Sequence, residues 1–129
     1  MTKTKKSLGE AELQIMQVIW SAKEPVSSSY VLKELQNSRK WQLSTLMTSL
    51  NRMVEKEFLI CDKSTGKNLY SAIVSENDYK AQESQSFLSK LYNNSVQNLI
   101  TTLYTNKMMK DVDIDELRKF LDELEGKND

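Results

Sequence analysis

Polar side chains recur at helical spacing between residues 44 and 52 and are the first candidates for chemistry in this 129-residue sequence. Thr45, Thr48 and Arg52 stand at positions i, i+3 and i+7, which places them on one side of an α-helix. Ser44 and Met47 border that side near the start of the helix. Hydroxyls and the Thr methyl can contact base edges, whereas a guanidinium suits a phosphate or a guanine edge. This pattern predicts a helix face that binds double-stranded DNA.

Cationic and hydroxyl side chains elsewhere favour the same chemistry. Lys63 and Lys67 flank a glycine and would form the tip of a hairpin, where their charges can contact the phosphate backbone. Residues 27–29 are all serine and lie at the start of a helix, where they could give its N-terminus a phosphate contact. Residues 39–40 add two cations at the entrance to the candidate helix.

The composition argues against catalysis and metal binding. The chain has no His, which removes the His base and the Ser/His/Asp triad. A single Cys, Cys61, cannot form an internal disulfide; we expect a small buried hydrophobe in a cytoplasmic protein. The acidic residues 111–116 coincide with a helix start, which favours capping over metal binding. We therefore expect no catalytic residue, no metal site, no cofactor and no enzymatic activity.

The net charge of zero, from 18 basic and 18 acidic residues, conceals two opposite halves. Residues 1–74 hold 11 basic and 7 acidic residues, and residues 75–129 hold 7 and 11. A basic half can bind a polyanion while an acidic half has another role. We expect a DNA-binding domain over 1–74 and a helical dimerisation domain over 75–129. The longest purely apolar run is residues 58–61, so we expect no membrane insertion.

The apolar periodicity of residues 1–74 predicts three short helices and a hairpin. The motif from Ser7 to Glu10 has the form of a capping box, with Ser7 as N-cap. The expected elements are helices over 8–21, over 28–37 and from an N-cap at Ser44, then strands over 58–61 and 69–74. This order predicts a mostly α fold with a small β-hairpin, the winged helix-turn-helix, with Trp41 in the core.

The apolar pattern of residues 75–129 predicts two amphipathic helices. One long helix would run through Phe87 and Tyr104, and another would begin near Asp113. So short a segment has little interior, and a second copy can cover the apolar faces, although the tail could instead fold back on residues 1–74. The candidate dimerisation residues are Leu91, Val96, Leu99, Leu103, Ile114, Leu117 and Leu121.

Several segments resemble the penicillinase and methicillin-resistance repressors, the BlaI/MecI/CopY family. Residues 11–20, AELQIMQVIW, resemble the first-helix signature of that family. Trp41 with residues 44–56 resembles its recognition helix. Its wing is resembled by Lys63, Gly66, Lys67 and Tyr70. Residues 115–117 fall in its last dimerisation helix. The resemblance covers nearly the whole chain.

The resemblance implies a homodimeric bacterial repressor that binds a palindromic operator, with beta-lactam resistance genes as the expected targets. The family's DNA contacts carry over to Ser44, Thr45, Met47, Thr48 and Arg52, with Lys63 and Lys67 on the backbone. In the beta-lactam branch a membrane sensor-protease initiates cleavage of the repressor. The scissile bond of the staphylococcal members aligns with Thr102 and Leu103.

The sequence departs from the family pattern at named positions. Residues 42–44 read Gln-Leu-Ser where the family usually has Ser-Pro-Lys, and Met47 stands where Arg, Lys or Gln is common. Glu57 replaces a frequent Gly after the recognition helix. The C-terminus lacks the Cys-rich tail of the copper-responsive branch. Two alternatives stay open: a winged-helix module that binds a protein partner, and a repressor that answers a different signal.

Overall fold

The computed structural model describes residues 7–38 and 40–127, and the chain divides into two compact units. The first unit spans residues 1–83 and the second spans residues 84–129. Within the described ranges, no helix combines the length and the apolar character needed to cross a membrane.

The first unit is a winged helix. Its elements are α1 (Glu10–Ser21), β1 (Val26–Ser27), α2 (Ser28–Leu35), α3 (Leu43–Glu55), β2 (Leu59–Asp62), β3 (Leu69–Ala72) and the first turns of α4 (Glu76–Tyr92). The strands form an antiparallel sheet in the order β1-β3-β2. The helices and the hairpin confirm the predicted fold class. The pattern did not reveal β1, because two residues are too few to show a period; Val26 pairs with Tyr70.

The core of the first unit joins all three helices to the sheet. Its buried side chains are Ile15, Met16, Ile19, Val26, Val31, Leu35, Trp41, Leu46, Leu50, Met53, Phe58, Leu59, Tyr70 and Tyr79. Trp41 is 8% exposed, which confirms its expected place in the core. Cys61 is only half-buried, since it lies on a strand at the edge of the sheet.

Two of the predicted helix caps are wrong. The hydroxyl of Ser7 donates to Glu83, and α1 begins after Gly9, whose N–H donates to Glu12 over 3.2 Å. Likewise, α3 starts one residue earlier than expected, with Gln42 as N-cap, so Ser44 lies inside the first turn.

Tyr79 on α4 ties the start of this helix to the first unit. Its ring lies 5.8 Å from that of Trp20 and 6.3 Å from that of Phe58, and its hydroxyl accepts a 2.7 Å hydrogen bond from the N–H of Leu8. Burial raises the pKa of Tyr79 above the ordinary tyrosine value. The first unit therefore extends to Glu83 and not only to residue 74, where the sequence placed the boundary.

The second unit contains the rest of α4, then α5 (Val96–Thr105) and α6 (Asp111–Lys127). The prediction of one long helix through residues 87–104 is wrong. Asn93 and Asn94 have φ of 48° and 65°, so the backbone turns left-handed there and ends α4. Ser95 then caps α5 by accepting a hydrogen bond from the N–H of Asn98. None of the described residues of this unit is fully buried.

Replacing Tyr79 tests whether α4 belongs to the first unit. We expect Tyr79→Ala to lower the free energy of unfolding by about 3–5 kcal/mol, because a buried aromatic ring and its hydrogen bond are lost. Tryptophan fluorescence during urea unfolding reports this directly, since Trp20 and Trp41 both lie in the first unit.

Tyr30→Ala is the matched control, because Tyr30 is 41% exposed in the same unit; it should cost less than about 1 kcal/mol. Equal losses for the two variants would contradict the anchoring role of Tyr79.

Candidate nucleic-acid interface

The orientation of α3 is set by its apolar stripe. Leu46, Leu50 and Met53 are all 0% exposed, and they hold one side of the helix against the core. The opposite side is exposed and presents the predicted contact residues Ser44, Thr45, Thr48 and Arg52. The structure thus brings these four residues to one accessible helix face.

Two of the predicted contact residues, Thr48 and Met47, are limited in the contacts that they can offer. The hydroxyl of Thr48 donates a 3.0 Å hydrogen bond to the carbonyl of Ser44, so Thr48 offers an outside partner its methyl group and its oxygen lone pairs. Met47 is half-buried and packs against the core, so only part of its side chain is accessible. Arg52, in the last turn, is the basic residue of α3.

The turn between β2 and β3 forms the tip of the wing. Gly66 has a φ of 87°, a left-handed conformation that glycine adopts without strain, and its N–H donates to the carbonyl of Lys63. Asp62 accepts a 2.9 Å hydrogen bond from the N–H of Ser64, which lowers the pKa of this carboxyl. Lys63 and Lys67 are both exposed, as a backbone-contacting tip requires.

The exit from α3 fixes how the helix leads into the wing. The N–H of Phe58 donates to the carbonyl of Met53, and the N–H of Glu57 donates to the carbonyl of Val54. These two bonds define a Schellman motif, which requires a left-handed residue after the C-cap. Glu57 occupies that position with a φ of 67°. Glycine would adopt this φ without strain, whereas Glu57 carries a Cβ there.

The start of α2 contributes a surface that the sequence reasoning only partly anticipated. The Ser27 side chain caps the helix by accepting a hydrogen bond from the N–H of Tyr30. Ser27 lines a groove of about 560 Å³, and Lys23 and Lys67 line the same groove. Lys23 was missed because it is far in sequence from the wing. Of the two cations expected at the entrance to α3, Lys40 is exposed and Arg39 lies outside the described residues.

The candidate dimerisation residues lie along α4, α5 and α6 of the second unit. Leu91, Val96 and Leu121 are exposed, whereas the others are half-buried, namely Leu99, Leu103, Ile114 and Leu117. A largely apolar groove of about 500 Å³ runs along α5 and includes Val96 and Tyr104. The candidate cleavage pair, Thr102 and Leu103, lies within α5 and is half-buried.

Acidic residues do not assemble a metal site in the part of the chain that the structure describes, where no group of three or more Asp, Glu or Cys side chains is arranged to hold an ion. The carboxylate of Asp113 instead accepts a hydrogen bond from the N–H of Lys110 at the start of α6.

The fold and the exposed face of α3 are those of winged-helix DNA-binding proteins. A family model described as penicillinase repressor matches residues 8–123. The chain belongs to this family, which consists of transcriptional repressors and not of enzymes.

Curated relatives extend along nearly the whole chain. The penicillinase repressor of Bacillus licheniformis is 30% identical over 116 residues, which cover 90% of each chain. The penicillinase repressor of Staphylococcus aureus is 30% identical over 117 residues, covering 91% of this chain and 92% of the relative.

A solved structure of a member of this family matches part of the chain. The solution structure of monomeric Bacillus licheniformis BlaI in complex with the blaP half-operator superposes with a TM-score of 0.52 at 31% identity. The match covers 60% of this chain and 94% of that one.

Replacing Glu57 tests the left-handed exit of α3. We expect Glu57→Gly to raise the free energy of unfolding by about 1 kcal/mol, because glycine reaches a positive φ without the steric penalty of a Cβ. Glu55→Gly, in the last turn of the same helix, is the control and should lower it by about 1 kcal/mol. Urea unfolding measures both; destabilisation by both substitutions would contradict the account of this turn.

Proposed function

We propose that this chain is a bacterial transcriptional repressor that binds operator DNA through α3 and the wing. The observation that carries the proposal is the exposed face of α3 in a chain similar over nine-tenths of its length to penicillinase repressors. A relative whose solved structure matches 60% of this chain is in complex with a half-operator. We expect the protein to act in the cytoplasm, where its DNA lies.

The proposed DNA contacts are of two kinds, contacts to base edges and contacts to the phosphate backbone. The N-terminal half of α3, with Ser44, Thr45, Met47 and Thr48, would lie in the major groove and contact base edges. Arg52, further along the helix, would contact a phosphate or a guanine edge. The cations of the wing, Lys63 and Lys67, would contact the backbone and supply affinity without sequence preference.

A gel-shift experiment tests this function. The full chain is titrated against the duplex upstream of its own gene and against a random duplex of the same length, at physiological salt. Tighter binding to the upstream duplex supports the proposal. Equal binding to both duplexes would refute a repressor role at that DNA.

Two substitutions separate base reading from backbone binding. We expect Thr48→Ala to weaken specific binding about fivefold and to leave binding to random DNA unchanged, because a base contact is lost. We expect Lys67→Ala to weaken binding to every duplex about equally. It should also lower the slope of log affinity against log salt by about one for each bound subunit.

Lys119→Ala is the control for a lost surface charge, since Lys119 is an exposed cation on α6. The same loss pattern for Thr48→Ala and Lys67→Ala would contradict the division of roles.

We also propose that the second unit forms a homodimer, so that two first units bind the two halves of a palindromic operator. The support is the absence of a fully buried residue among those described in this unit. Large apolar side chains such as Val96, Tyr104 and Phe120 are 57%, 60% and 54% exposed. Burial against a second copy would remove this surface from water, which is favourable.

Truncation tests the dimer. A chain ending at Leu103 lacks α6 and the end of α5, so we expect a monomer by sedimentation at micromolar concentration. Its operator affinity should fall at least about 100-fold, because the two half-sites are no longer bound by linked units. A chain ending at Gly126 is the control and should remain dimeric. A monomeric full chain would contradict the proposed assembly.

For induction, we propose cleavage between Thr102 and Leu103 after a membrane sensor-protease detects a beta-lactam. The two residues lie in the second half of α5, where the Thr102 hydroxyl donates to the carbonyl of Asn98. The end of α5 would have to unwind before a protease could bind this bond. A sensor-protease or beta-lactamase gene adjacent to the gene for this chain would support the proposed signal.

A further inference from the structure

The start of α3 has an apolar flank that consists of Leu43 and Met47. Leu43 is the first residue of the helix and is 52% exposed, so it contributes little to the core. Met47 follows at i+4 on the same side and is half-buried. This flank borders the exposed face that carries Ser44 and Thr48.

The first nine residues of α3 lack the cationic side chains that most often read guanine. Residues 43–51 contain neither Lys nor Arg, the side chains that bond the O6 and N7 atoms of guanine. The hydroxyl hydrogen of Thr48 is already bonded to the carbonyl of Ser44. Leu43 and Met47 therefore offer methylene, methyl and thioether surface to an approaching base pair, beside the hydroxyl groups of Ser44 and Thr45.

Among the base edges in the major groove, only thymine presents an apolar group, its C5 methyl. We propose that Leu43 and Met47 are specificity-determining residues that contact thymine methyl groups in the operator half-site. This inference rests on the proposed function, because it requires α3 to lie in the major groove. Leu43 would contact one thymine at the start of the helix. The flexible Met47 side chain would adapt to a second.

Replacing thymine by deoxyuridine tests the inference, because deoxyuridine keeps the pairing edge and lacks only the methyl group. The full chain first selects its preferred duplex from a randomised library. Each thymine of the selected half-site is then replaced in turn. We expect one or two of these replacements to weaken binding about fourfold each. Each of them removes a methyl group that the protein would otherwise bury.

Protein variants identify the side chain that contacts each methyl group. Leu43→Ala should bind the thymine duplex more weakly and should no longer distinguish thymine from deoxyuridine at one position. Met47→Gln should lose that distinction at the other position. Leu43→Ala should fold normally, because the site is exposed and alanine favours helix.

Ile73→Ala is the matched control, since Ile73 is also 52% exposed but lies beyond the end of β3. It should preserve the full difference between thymine and deoxyuridine.

The outcomes separate this inference from the proposed function. Specific binding that is insensitive to every deoxyuridine replacement would overturn the inference and leave the repressor function intact. A methyl effect that persists in both Leu43→Ala and Met47→Gln would also overturn it. Failure of the library to yield any preferred sequence would overturn the proposed function and the inference together.

Discussion

Burial of one stripe of α3 is the constraint on which the rest of the first unit depends. Leu46, Leu50 and Met53 lose all their exposed surface against the core, and this fixes the rotation of the helix about its axis. A rotation that exposed any of them would cost about 2 kcal/mol for each side chain. The polar residues on the other side, Thr45 and Thr48 among them, are consequently held outward on a rigid element. Fixed orientation is what a helix needs in order to read base edges.

The two units differ in how much apolar surface each buries within a single copy of the chain. The first unit has a continuous core, and Tyr79 adds the start of α4 to it through ring contacts and a hydrogen bond from Leu8. The second unit contains helices with exposed apolar side chains and no fully buried residue among those described. A proposed dimer resolves this difference, because the second copy would supply the surface that a single copy of this unit lacks.

Periodic features could be predicted from the sequence, whereas features set by single backbone angles could not. The apolar residues of α3 recur at helical spacing, and two apolar runs separated by a polar turn mark the strands of the wing. The exposed positions of Thr45, Thr48 and Arg52 follow from the same helical period. The break at Asn93 and Asn94 interrupts an apolar pattern that reads as continuous, so only the positive φ values reveal it. The cap at Gln42 was equally unpredictable, because no side-chain cap bond marks it. Tyr79 was missed because its partners, Trp20 and Phe58, are distant in sequence.

The face opposite the buried stripe of α3 is the surface that we propose binds DNA. Backbone amide NMR shifts of the full chain, recorded while the upstream duplex is added, test it most directly. We expect the largest changes at residues 44–52 of α3 and at the wing tip, residues 63–67. Changes confined to α5 and α6, with α3 unaffected, would contradict it.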